Sequence, residues 1–96
     1  MNRYGAQAQR HWQTHLPQRY RQIEDPENYF AELGEQISDQ IEATARQIAG
    51  PDPANEGYLD KVSRLNMARH SAEAQVLREM LTDPDHEQEQ DAATPA

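Results

Sequence analysis

The 96-residue sequence contains no cysteine, which excludes a disulfide scaffold and any zinc site with cysteine ligands. Hydrophobic residues are also scarce, at 35% of the chain with a single Trp and a single Phe, against roughly 45–50% in average globular domains. The chain is long enough for one domain with a thin core, and leaves little to wall a deep pocket. Because small domains are marginally stable alone, we expect a partner surface or self-association.

Long apolar segments are missing as well. No run approaches the ~20 apolar residues that cross a bilayer, and residues 1–5 lack the apolar stretch of a signal peptide. We therefore expect a cytoplasmic protein that does not enter a membrane.

The sequence offers little chemistry for catalysis. Its few Ser and Thr residues lie in no nucleophile elbow, and it has no glycine-rich phosphate loop. His11 and His15 are four residues apart, a spacing that can place two imidazoles on one metal, but no further ligand has a matching position. We favour a packed or solvated role for both histidines, and expect no enzymatic activity, no metal and no cofactor.

Charge is unevenly distributed along the chain, whose net charge is −8. Residues 1–23 carry +4, residues 24–60 carry −9, residues 61–81 carry +2 and residues 82–96 carry −5. This pattern favours pairing between segments or a basic partner. It opposes a general affinity for nucleic acid, whose phosphates are themselves negative.

Hydrophobic periodicity predicts two long helices. In residues 26–49, apolar side chains recur at spacings of three and four between an Asp25-Pro26 start and a Gly50-Pro51 stop. They are Phe30, Leu33, Ile37, Ile41, Ala45 and Ile48. Residues 56–81 carry a second stripe of this kind: Leu59, Val62, Leu65, Ala72, Val76 and Met80.

A shorter helix is predicted over residues 3–16, where aromatic and apolar residues recur every four positions and Pro17 interrupts the pattern. We therefore predict an all-α fold: an antiparallel two-helix hairpin with the shorter N-terminal helix packed across it through Trp12. Dimerisation of this unit into a helical bundle is a further option. The helical domain spans residues 1–82, and residues 83–96, which have no large apolar side chain, are predicted to be a disordered acidic tail.

An acidic ridge is the most specific feature of the predicted middle helix. Its carboxylates recur at spacings of three and four, which places them on one face, ~5–6 Å apart and near the spacing of nucleic-acid phosphates. The ridge consists of Glu32, Glu35, Asp39 and Glu42. One interpretation is a docking face for a basic partner, in which the carboxylates act as a DNA mimic. The alternatives are a solvated helix face and a face that is paired internally with arginines. The candidate internal partners are Arg10, Arg19, Arg21 and Arg64.

Three further residues interrupt the helical patterns. Asn66 and Arg69 lie in or beside the second apolar stripe. Polar residues in such a place are predicted to fix the pairing of the two helices, with Arg69 binding Asp39 or Glu42. The alternative is that they mark a point where the helix pair opens toward a partner. Gly34 lies inside a helix, where glycine costs about 1 kcal/mol relative to Ala. It predicts the close approach of another element, for which the Trp12 indole is the candidate.

Several short segments resemble one group of proteins. They are Arg3-Tyr4-Gly5-Ala6, His11-Trp12, Glu32-Leu33-Gly34, residues 57–62 (GYLDKV) and residues 64–69 (RLNMAR). Together they resemble small acidic helical proteins encoded on integrative mobile elements and phages of high-GC Gram-positive bacteria, across most of residues 3–81. The resemblance implies a role in the life cycle of a mobile element and supplies no catalytic residue.

The leading functional hypothesis is a non-enzymatic accessory factor or inhibitor that docks its acidic ridge onto a basic, nucleic-acid-handling protein. The alternative is a nucleic-acid-associated regulator whose basic, aromatic N-terminal segment contacts phosphates and stacks on bases. Its candidate contacts are Arg3, Arg10, Trp12, Arg19, Tyr20 and Arg21. A third hypothesis is a self-assembling structural subunit, with a homodimer as its simplest form.

Overall fold

The computed structural model describes residues 1–81, which form four helices. These are α1 (Arg3–His15), α2 (Pro17–Arg21), α3 (Pro26–Ala49) and α4 (Tyr58–Leu81). None of residues 1–81 belongs to a β-strand, and the prediction of an all-α fold is confirmed for this part of the chain. The predicted acidic tail, residues 83–96, lies outside the described residues.

The helix ends follow from local side-chain and backbone chemistry. The Asn2 side chain accepts a hydrogen bond from the Gly5 amide at 2.9 Å, and Asp25 accepts one from the Asn28 amide at 3.2 Å. Each of these bonds satisfies an amide that has no partner inside its helix. At the end of α3, Gly50 adopts a φ of 65° and donates its amide to the Arg46 carbonyl. Glycine adopts this left-handed conformation without steric cost.

Helix α3 is the central element, because it packs against α1 along one side and against α4 along another. The buried residues come from all three helices and are Tyr4, Ala8, Phe30, Ile37, Ile41, Ala72, Val76 and Leu81. Most of them lie at the end of the α3–α4 pair that is remote from the connecting loop, residues 50–57, and this is where α1 packs. The molecule is elongated and thin, with extents of 56 × 32 × 15 Å.

The apolar stripe predicted for α4 is buried only in its second half. Leu59, Val62 and Leu65 are 78%, 37% and 42% exposed, whereas Ala72 and Val76 are buried as predicted. Periodicity identified the apolar face, but no element of residues 1–81 covers that face near the loop. The small side chain of Ala68 is the buried apolar contact of α4 there.

Helices α1 and α3 cross where two glycines meet. A Cβ atom added at Gly34 would lie 2.7 Å from the Gly5 nitrogen and 2.9 Å from its Cα, and would also collide with the Asn2 side chain. The close approach predicted at Gly34 is therefore real, but its partner is the backbone of α1 and not the Trp12 indole. Trp12 packs one side of α3 farther along, with its ring 5.7 Å from Phe30 and 5.6 Å from Tyr29.

Candidate protein-interaction surface

The acidic ridge lies on the outer side of α3, away from the buried face formed by Phe30, Gly34, Ile37 and Ile41. All four ridge residues are exposed. Within residues 1–81, none of their carboxylates forms a hydrogen bond or an ion pair. The predicted alternative of internal pairing with the chain's arginines is therefore not found among the described residues.

Three carboxylates outside the ridge are paired with the chain's own cations, and the ridge carboxylates differ from these three in having no such partner. Glu73 of α4 accepts hydrogen bonds from Arg3 at 3.0 Å and from the Tyr4 hydroxyl at 3.1 Å. Asp52 and Glu56 of the loop bind cations of α4. The arginines and lysine that form ion pairs thus hold helices and loop together, and leave the ridge charges to solvent.

Arg64 organises the loop between α3 and α4. Its guanidinium donates to the Ala49 carbonyl at 2.6 Å, to Asp52 at 2.7 Å and to Glu56 at 2.7 and 3.0 Å. Lys61 adds a second bond to Asp52 at 2.6 Å. A cation at the carbonyl end of α3 also interacts favourably with the helix dipole. Arg64 was predicted as a possible partner of the ridge, but it binds the loop instead. The sequence signal for this role was the pair of acids before Gly57 and the pair of bases after it.

These contacts shift the pKa values of both loop carboxyls downward. Hydrogen bonding from Lys61 is the main cause at Asp52, and hydrogen bonding from Arg64 is the main cause at Glu56. A carboxyl whose pKa is lower in the folded than in the unfolded state stabilises the fold above its unfolded pKa. That contribution is lost as the pH falls through the folded pKa.

We predict that Glu56→Gln lowers the Tm at pH 7, and that the difference from the parent protein shrinks as the pH falls below about 4, the ordinary range of carboxyl pKa values. Protonation of Glu56 removes the same charge in the parent protein that the substitution removes at all pH values. Thermal denaturation followed by circular dichroism across this range measures the effect. Glu35→Gln is the control, because its carboxylate has no partner among residues 1–81, and its Tm at pH 7 should not fall.

Asn66 and Arg69 lie on the surface rather than in a helix seam. Both are exposed, and within residues 1–81 Arg69 forms no ion pair. The predicted bond from Arg69 to Asp39 or Glu42 is therefore wrong for the described chain. Arg69 instead lines an open groove between α3 and α4. The residues that line this groove are Glu42, Ala45, Arg46, Ala49, Gly50, Leu65, Asn66 and Arg69. The alternative interpretation, that these polar residues mark an opening of the seam, describes this geometry.

The predicted nucleic-acid contacts are divided between core and surface. Trp12 and Tyr20 pack against the core, and the Tyr20 hydroxyl accepts hydrogen bonds from Gln9 and Gln13, both at 3.1 Å. Arg3 lies over the Tyr4 ring, 4.9 Å from its centroid, and pairs with Glu73.

The arginines of this set differ in exposure. Arg10 and Arg21 are exposed, and Arg19 is half-buried. Because the rings of Trp12 and Tyr20 face the core, they present less surface for base stacking than their sequence pattern suggested.

His11 and His15 lie one helical turn apart, with ring centroids separated by 4.7 Å. Among residues 1–81, no three His, Asp or Glu side chains come together in an arrangement that could hold a metal ion. None of the described helices combines the length and apolar character needed to span a bilayer.

Comparison with known proteins finds no matching family model, no matching curated protein and no matching solved structure.

Proposed function

We propose that this chain is a non-enzymatic protein-interaction module that docks its acidic ridge onto a basic protein partner. The observation that carries the proposal is the sorting of charges: Asp52, Glu56 and Glu73 pair with the chain's own cations, whereas the ridge carboxylates stay exposed and without ion pairs within residues 1–81. Like charges at this helical spacing destabilise an isolated helix by a few tenths of a kcal/mol per pair. The ridge therefore does not serve the stability of α3.

A rigid row of carboxylates suits the basic surface of a nucleic-acid-handling protein. Neighbouring ridge residues are ~5–6 Å apart along the helix, so that Arg and Lys side chains arranged to meet phosphates can meet them. Electrostatic complementarity of this kind speeds association and selects partners. An accessory factor or inhibitor acting as a DNA mimic, in the life cycle of a mobile element, is the role that fits this surface and the resemblance noted above.

The packing of the helices supports this role because it holds α3, which carries the ridge, in a fixed position. In our interpretation, α3 and α4 form an antiparallel hairpin and α1 packs across it, so that α3 is supported on two sides. Dimerisation would bring two ridges into one particle. A dimer of this kind binds a repeated or symmetric basic surface more tightly than one copy does.

The test compares two variants with the same change in net charge. The ridge variant carries Glu32→Gln, Glu35→Gln and Asp39→Asn. The control variant carries Glu24→Gln, Glu27→Gln and Glu79→Gln, three exposed carboxylates away from the ridge. Binding of an arginine-rich helical peptide is measured by calorimetry at low and moderate salt.

We expect the ridge variant to bind the peptide about tenfold more weakly than the control, because each exposed ion pair contributes up to ~1 kcal/mol. Pull-downs from cell lysate with the same two variants then identify the natural partner. Equal affinity of the two variants for the peptide would contradict the proposal.

The exposed Arg10 and Arg21 support a second candidate, the nucleic-acid-associated regulator. An electrophoretic mobility shift assay at low salt separates the two functions. Binding to nucleic acid that weakens steeply with added salt, and that is lost in Arg10→Gln/Arg21→Gln, would favour this second candidate. The proposal of a ridge-docking module expects no shift.

A further inference from the structure

An apolar face at the loop end of the α3–α4 pair is left uncovered by the rest of residues 1–81. Leu59, Val62 and Leu65 recur at intervals of three along α4 and are preceded by Tyr58. Tyr58 and Leu59 are 79% and 78% exposed. Leu65 also lines the groove described above, together with Ala45 and Ala49 of α3. We call these apolar residues and the groove the loop-end face.

The loop-end face continues the surface on which α1 packs. Along α4, Leu65, Arg69 and Glu73 follow one another at intervals of four, and Glu73 bonds Arg3 and Tyr4 of α1. Residues at this interval lie on one side of a helix. Helix α1 therefore covers one half of this side of the α3–α4 pair, and the other half has no covering element among residues 1–81.

The rim of the groove carries charges of both signs. Glu42 and Arg46 are separated by one helical turn of α3, and Arg69 stands opposite them on α4. All three are exposed, and within the described chain none of them forms an ion pair. A uniformly basic partner suits the ridge, but here it would meet Arg46 and Arg69. The loop-end face requires an occupant that itself carries both signs around an apolar centre.

We propose that a second copy of this chain covers the loop-end face in a two-fold symmetric, antiparallel dimer. In a two-fold interface, the contact of residue i with residue j is repeated as j with i. When two α3 helices meet in opposite directions about a point midway between Glu42 and Arg46, Glu42 of each copy lies opposite Arg46 of the other. The same operation brings the two apolar patches around Leu65 together.

The position of α1 selects the antiparallel orientation. Helix α1 rises from the same side of the α3–α4 pair as the loop-end face, so two copies stacked in the same direction would bring their α1 helices into collision. Reversing one copy places its loop end beside the N-terminus of the other copy's α1. The centre of the dimer is then a four-helix bundle made by α3 and α4 of both copies.

The size of the face predicts a weak dimer. The uncovered stretch comprises residues 42–49 of α3 and 58–69 of α4, roughly 12 and 18 Å at 1.5 Å per residue. Two faces of this length lie in the range below about 1,200 Å² that is typical of weak, transient contacts. We therefore expect a dissociation constant in the micromolar range, so that the dimer forms and dissociates with concentration.

Sedimentation velocity of the full chain over a concentration series tests the apolar part of the interface. Leu65→Glu should raise the dimer dissociation constant at least about tenfold, the typical cost of burying an unpaired charge in an interface. The matched control is Met67→Glu, which also replaces an apolar side chain by a charged one. Met67 is 68% exposed and lines a second groove, on the opposite side of the α3–α4 pair. A parent protein that stays monomeric up to millimolar concentration would overturn the proposal, as would equal effects of the two variants.

Charge exchange tests the symmetry itself. Glu42→Arg and Arg46→Glu should each weaken the homodimer, because each places like charges opposite one another twice. An equimolar mixture of the two variants should recover the dimer. In the mixed dimer the introduced arginine of one variant faces the introduced glutamate of the other, and the remaining native Glu42 and Arg46 face each other at the symmetry-related position.

Recovery in the mixture is a result that a loss of folding or a non-symmetric contact does not produce. Failure of the mixture to recover would overturn the assigned pairing.

This inference and the ridge-docking function can fail separately. Glu42 belongs to both the ridge and the loop-end face, so the peptide-binding test uses only Glu32, Glu35 and Asp39. The dimer test uses Glu42, Arg46 and Leu65. A ridge variant that loses peptide binding but keeps the dimer supports both proposals. A Leu65→Glu monomer that still binds the peptide shows that the two surfaces act independently.

Discussion

Phe30→Ala should destabilise the fold by about 3–5 kcal/mol, the usual cost of deleting a buried aromatic ring. Phe30 is fully buried, and its ring is surrounded by Tyr29 at 4.9 Å, Trp12 at 5.7 Å and Tyr20 at 5.9 Å between centroids. The Phe30 ring therefore joins α1 and α2 to α3. No other phenylalanine is present in the chain to fill the space.

Urea denaturation followed by circular dichroism and by Trp12 fluorescence measures this loss. A domain of ordinary stability has only about 5–15 kcal/mol to lose, so the variant should unfold at a much lower urea concentration than the parent protein. Met67→Ala is the control, because this side chain is 68% exposed and its truncation should change stability by less than about 0.5 kcal/mol. Similar losses in the two variants would show that the aromatic cluster does not hold the fold.

Gly34→Ala should also destabilise the protein, by about 1–3 kcal/mol as in other overpacked interiors, although alanine is the better helix former by about 1 kcal/mol. The added methyl group would lie 2.7 Å from the Gly5 nitrogen and 2.9 Å from its Cα. Both are backbone atoms, so the contact is relieved only if α1 moves away from α3. The sign of the effect therefore distinguishes helix packing from helix propensity.

The same denaturation measurements apply, and Gly5→Ala tests the crossing from the other helix. A Cβ at Gly5 would collide with the Phe30 carbonyl, so this variant should lose stability as well. Gly57→Ala is the control, since a Cβ there meets only Asp60 at 3.7 Å, and its cost should stay below about 1 kcal/mol as for a substitution at a helix N-terminus. A stabilised Gly34→Ala protein would mean that α1 does not pack at this position.

The candidate interaction surface was partly predictable. The alignment of the ridge carboxylates in one row follows from helical spacing alone, because positions three and four apart share a face whatever the rest of the molecule does. The partners of the arginines did not follow from spacing. Sequence offered Arg64 as a partner for the ridge, but the loop turns Arg64 toward Ala49, Asp52 and Glu56.

The loop-end face was not predicted as a surface. The spacing of Leu59, Val62 and Leu65 indicated an apolar stripe, and a stripe of this kind usually lies in a core. Whether it does depends on the element that packs against it, which is a property of the tertiary structure. Here α1 packs on α3 and contacts α4 at Glu73, in the second half of that helix, and the first half of the stripe stays exposed.

Interactions within a few residues account for the all-α class, the capped start of α3, its glycine stop and the alignment of the ridge carboxylates on one helix face. The tertiary structure decided which apolar residues are buried, that Gly34 meets Gly5, and which charges are paired. The physical reason is that a residue pattern fixes the face of a helix, whereas burial and pairing depend on which distant segment approaches that face.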